Sequence, residues 1–111
     1  MVKLIVAALA LAVSAPAFAG ASNFTLVNGT GGGLAELSIR RAGTQDWKPL
    51  GAAPADGARG PMTFSDPDCA FDIKATVGGS PVTWAGVNLC DVKSVTLKRD
   101  SSAGAWVDYD Q

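Results

Sequence analysis

The sequence predicts an all-β domain: a small antiparallel β-sandwich of about seven short strands, immunoglobulin-like and closed by one disulfide. Three observations carry this. Apolar residues recur at every second position in short runs, as on a half-buried strand. Gly, Pro, Asn and Asp separate those runs at turn spacing. Beyond residue 19 no stretch shows the 3.6-residue apolar period of a helix. Strands with one dry face need a second sheet to cover them, which makes a sandwich the economical arrangement.

Residues 1–19 stand apart from that pattern. Lys3 gives a short positive start, Leu4 to Val13 an apolar run, and Ser14-Ala-Pro-Ala-Phe-Ala19 a small-residue ending. This reads as a secretory signal peptide cut after Ala19. An apolar run of ten residues would make a helix of about 15 Å, about half of a ~30 Å bilayer core, so no membrane span is expected after cleavage. No cysteine lies near the cut, and the expected location is periplasmic or secreted. Residues 20–111 then form a single domain.

Removing Lys3 from nine basic residues leaves eight against ten acidic ones, a net charge of −2. There is no basic stripe for nucleic acid and no polybasic segment for anionic lipid; the expected partner, from aromatics beside Asp108 and Arg40 or Arg41, is a protein or a glycan.

Within the domain, Ser22 to Asn28 alternates Phe24 and Leu26 against Asn23 and Thr25. Leu34 to Arg41 alternates Ala35, Leu37 and Ile39 against Glu36, Ser38 and Arg40. The glycine-rich Asn28 to Gly33 between them suggests a hairpin. It does not suggest a phosphate loop: it lacks the Lys-Ser/Thr of a P-loop and precedes a strand pattern. Ala42 to Pro61 is rich in Gly and Pro and reads as a long loop pinned by Trp47 and Leu50. Met62 and Phe64 mark a short strand over Pro61 to Ser65.

Cys69 to Val77 is the clearest strand, with Cys69, Phe71, Ile73, Ala75 and Val77 on one face and Asp72, Lys74 and Thr76 on a wet one. A four-residue loop, Gly78 to Pro81, returns the chain through Val82 to Cys90. That count sets Val77 opposite Val82, Ala75 opposite Trp84 and Cys69 opposite Cys90. In an exported chain two cysteines so placed are expected as a disulfide. Val92 to Arg99 and Ala105 to Tyr109 complete the strands. The predicted core is Phe24, Leu26, Leu37, Ile39, Met62, Phe64, Phe71, Ile73, Val77, Val82, Trp84, Leu89, Val95 and Leu97.

The chain contains no histidine, which removes Ser-His-Asp and Cys-His nucleophile arrangements and most zinc sites. The expected role is therefore non-catalytic binding or structural association. Trp47, Trp106 and Tyr109, with Arg40 and Arg41, are the candidate binding residues. Trp47 is expected to lie as a lid over one end of the core. The alternative is a calcium-dependent module or minor hydrolase built on Asp66, Asp68 and Asp72, whose carboxylates suit a hard cation although no twelve-residue ligand loop accompanies them. No other cofactor is expected.

The pattern Phe24-x-Leu26-x-Asn28-x-Thr30-Gly31, with Leu37-x-Ile39, Trp47, Leu50, Cys69-x-Phe71-Asp72-Ile73, Trp84 and Val87-x-Leu89-Cys90, resembles small exported bacterial proteins of uncharacterised function. The resemblance spans nearly all of residues 20–111. It implies a periplasmic or secreted two-cysteine β-domain and brings no functional residues with it. Arg40-Arg41 and Gly51 to Gly60 are least like that pattern.

Overall fold

The computed structural model describes residues 20–102 and 104–111; the expected signal peptide lies outside the described residues. Those residues form eight strands: β1 (Phe24–Gly29), β2 (Leu34–Arg41), β3 (Lys48–Pro49), β4 (Arg59–Met62), β5 (Ala70–Val77), β6 (Ser80–Asn88), β7 (Ser94–Asp100) and β8 (Gly104–Asp110). Two four-stranded sheets, ordered β4-β1-β7-β8 and β3-β2-β5-β6, pack face to face. All neighbours are antiparallel except β1 and β7, which are parallel. Among the described residues no helix is long and apolar enough to cross a membrane.

The alternation read from the sequence sets the two inner faces. Phe24, Leu26, Val95 and Leu97 of one sheet meet Leu37, Ile39, Phe71, Ile73, Val77 and Trp84 of the other. Phe64 and Val82 are only partly buried against this core. Trp84 joins the sheets directly, since its indole N–H donates to the Lys98 carbonyl on β7 at 2.8 Å. That bond satisfies the one polar atom of the largest buried side chain.

Several expectations are corrected. The eighth strand, β3, is a two-residue segment inside the stretch expected to be only loop, paired to Ser38 and Ile39. The short strand after it runs from Arg59 to Met62, not from Pro61 to Ser65. β1 and β2 are not a hairpin, because they belong to different sheets.

The reason lies at the end of β1. Asn28 is fully buried, and its amide donates to the carbonyls of Gly32 and Pro54 at 2.9 and 3.1 Å. Its Oδ1 accepts from the Thr30 N–H and hydroxyl at 3.1 and 2.6 Å. This satisfied polar knot turns the chain away from its own sheet. It also ties the turn to the 54–58 segment, where the Gly57 N–H donates to the Asn28 carbonyl.

The β5–β6 register also differs. Gly78 and Gly79, both at positive φ, make a tight two-residue turn, so Val77 pairs with Ser80 rather than Val82, Ala75 with Val82, and Ile73 with Trp84. A bulge at Ala85-Gly86 then shifts the register, leaving Ala70 opposite Asn88. Cys69 is thus not directly opposite Cys90: its carbonyl accepts from the Leu89 N–H, and the Cys69–Cys90 disulfide closes on the next residue, with Cα atoms 5.1 Å apart.

Candidate functional site

The outer face of the β3-β2-β5-β6 sheet is built by two departures from regular pairing. In β2, Glu36 sits at φ 56° where the β2–β5 register shifts between Ala35 and Ser38. In β6, Gly86 sits at φ 66° in the bulge, a conformation that costs glycine little. The bulge turns the Gly86 N–H onto Asp72 Oδ1 at 3.0 Å. Arg40, opposite Asp72 in the register, donates from Nε to Asp72 Oδ2 at 2.8 Å.

Asp72, expected on the wet face, is therefore buried. The Gly86 N–H hydrogen bond and the Arg40 guanidinium outweigh the opposing effect of burial, and they hold its carboxyl below the usual carboxylate range.

Above this pair stands Trp47. The Arg40 guanidinium carbon lies 4.4 Å and the Lys74 ammonium 4.2 Å from its ring centroid. Two cations on one indole fix the ring against the sheet surface. Trp47 is not a lid on the core: it is half-buried on the outer face, outside the core cluster.

Arg41 is held separately. Its Nε lies 3.1 Å from both carboxylate oxygens of Asp66 and 3.1 Å from Asp68 Oδ2. The Asp68 N–H donates to Asp66 Oδ1 at 2.8 Å, closing the Asp66-Pro67-Asp68 turn. The Asp66 hydrogen bond and the two carboxylate charges raise the Arg41 pKa. For Asp66, burial pushes the carboxyl up, yet the Asp68 N–H and Arg41 bring it below its ordinary value.

The cations gathered by the three candidate metal-binding carboxylates are thus guanidinium groups. Asp66 and Asp68 face Arg41, and Asp72 faces Arg40. Among the described residues no group of three or more acidic, Cys or His side chains is arranged to hold a metal ion.

Between the two arginine clamps lies an open groove of about 250 Å³ at one end of the sandwich. Ile39, Phe64 and Phe71 form its apolar floor, and Phe64 meets Phe71 edge-on at 5.1 Å. Arg40, Arg41 and Lys48, with Asp46 and Asp66, form a charged rim. A second, polar hollow of about 370 Å³, lined by Glu36, Ser38, Lys74 and Thr76, lies on the same sheet. An apolar floor with a few charged groups on its rim suits recognition of an amphipathic ligand.

Of the expected binding residues, Trp47 lies against Arg40, and Arg40 and Arg41 both line the groove. Trp106 and Tyr109 lie apart on β8 of the other sheet, 39% and 42% exposed. The Tyr109 hydroxyl accepts the Asn88 N–H at 2.9 Å and so links β8 to β6 across the seam. Lys48, Lys74 and Thr44 are parts of this face that sequence reasoning did not single out. Lys74 was legible in principle, since it alternates with Asp72 on one side of β5.

No family model matches the chain, and no curated protein does. Among solved structures it is similar to the NMR structure of a protein from Eubacterium rectale, with a TM-score of 0.53 and 15% identity over 82% of this chain and 89% of that one. At that identity the likeness concerns the fold alone.

Proposed function

We propose that this is an exported, non-catalytic binding module that engages a protein or glycan ligand at the groove between Arg40 and Arg41. The observation that carries the reading is an apolar floor under a charged rim, whose Arg40 also lies against the Trp47 ring beside the groove. A side chain fixed in this way loses little conformational entropy when a ligand packs on it. The disulfide suits an oxidising compartment and so supports a periplasmic or secreted setting for the module.

Capture from native periplasmic extract tests this, using the purified protein and two variants. Trp47→Ala is expected to lose the captured ligand, whereas Trp106→Ala, on the other sheet, is expected to retain it. Retention by Trp47→Ala together with loss by Trp106→Ala would contradict the assignment of the groove.

A further inference from the structure

The sandwich has four sheet edges, and three of them are blunted. β3 is two residues long and ends in Pro49. β4 is four residues long and contains Pro61. β6 begins Ser80-Pro81, bulges at Ala85-Gly86, and has its Asn88 N–H occupied by the Tyr109 hydroxyl. Short strands, prolines and bulges are the usual protections against edge-to-edge pairing.

β8 lacks the proline, the bulge and the shortness of those edges, and it meets the β6 edge through the Tyr109 hydroxyl at Asn88. It runs seven residues in unbroken register with β7, from Asp100 opposite Gly104 to Ser94 opposite Asp110. It has neither proline nor lysine, and alternate backbone groups of an edge strand face away from its single neighbour. It also carries Trp106 and Tyr109, the exposed large hydrophobic side chains of the described residues.

The side chains on this edge select the occupant. Trp106, Asp108 and Asp110 share the outer face of β8, two residues apart. Among the described residues neither Asp108 nor Asp110 is in a salt bridge. Pairing two β8 edges across a twofold would set four carboxylates on one ribbon, and like charges on neighbouring strands oppose that arrangement. A strand with Lys or Arg at every second position instead places its cations beside both carboxylates and over the indole.

We propose that the free edge of β8 is a strand-addition site for an extended peptide segment with basic residues at alternate positions. The backbone supplies the hydrogen bonds, and Trp106, Asp108 and Asp110 select the charge pattern. This surface is distinct from the groove, so either can fail without the other.

The test uses the purified protein and the synthetic peptide acetyl-Lys-Thr-Lys-Val-Lys-Thr-Lys-amide, with backbone amide shifts and hydrogen exchange as readouts. Binding is expected to slow exchange at the β8 amides. It should be abolished when alternate peptide nitrogens are methylated in one of the two frames, and lost when Glu replaces Lys. The Asp108→Asn/Asp110→Asn double variant, altered only at exposed positions, is expected to bind about tenfold more weakly.

Three results would overturn the proposal: no slowing at β8, equal binding of the Lys and Glu peptides, or insensitivity to methylation in both frames. Dimerisation of the protein alone with the same β8 amides protected would also overturn it, by making a second copy the occupant.

Discussion

The two sheets share one core but differ in regularity. The β4-β1-β7-β8 sheet pairs without a register shift, whereas the β3-β2-β5-β6 sheet breaks register in both β2 and β6. The broken sheet carries the Arg40–Asp72 pair, the Trp47 stack and both hollows. Its irregularity has an identifiable use: the β6 bulge aims a backbone N–H at Asp72, which anchors Arg40, which in turn lies against Trp47. Backbone departures of this kind concentrate where a surface is shaped for recognition. The regular sheet supplies packing and an edge strand, β8, in unbroken register with its neighbour.

Four substitutions probe that contrast, in decreasing order of predicted cost. Leu26→Ala, at a fully buried position in the regular sheet, is expected to cost about 2 to 5 kcal/mol in urea unfolding. A value near zero would mean that this sheet does not carry the packing of the core. In the broken sheet, replacing Cys69 and Cys90 by Ser is expected to cost about 3 kcal/mol, from the loop-closure entropy of a 21-residue separation. An unchanged midpoint would show that the bulged hairpin holds its ends without the bridge.

Asp72→Asn comes next, at about 1 to 3 kcal/mol near neutral pH, because it weakens a hydrogen-bonded, largely buried ion pair. Its pH dependence has a definite sign. The Asp72 carboxyl is held below its unfolded value, so its contribution is present above about pH 4 and disappears as pH falls through the lower folded value. Thermal melts from about pH 5 downward should therefore be steeper for the native chain than for Asp72→Asn. Parallel slopes would remove Asp72 from the account.

Gly86→Ala is the smallest, about 1 kcal/mol. A Cβ there meets nothing within 4 Å, and only the positive φ opposes it. A much larger loss would mean that the bulge is held more tightly than its open surroundings indicate.

The fold was largely legible because strand alternation is a local signal. Of the predicted core residues only Phe64 and Val82 fall short of full burial, and the disulfide forms as expected. What was not legible depends on contacts between distant residues. Nothing local in Asn28 to Gly33 shows that the Asn28 amide reaches Pro54, so the stretch reads as a hairpin turn when it carries the chain between sheets. The parallel β1–β7 pair likewise joins residues about seventy positions apart. The site was half legible: residue types picked out Arg40, Arg41 and Trp47, but separating them from Trp106 required sheet order. The role of Asp72 required the β6 bulge. Gly86 was its only trace in the sequence, and an isolated glycine within a strand pattern is a bulge signal.

In the proposed reading, the outer face and open end of the bulged sheet receive the ligand. Site-specific photo-crosslinking tests it most directly, with the photoreactive side chain placed at Thr44 on the groove or at Thr25 on the regular sheet. In native periplasmic extract the Thr44 position is expected to yield a discrete crosslinked product and the Thr25 position none. A product from Thr25 with none from Thr44 would contradict the account.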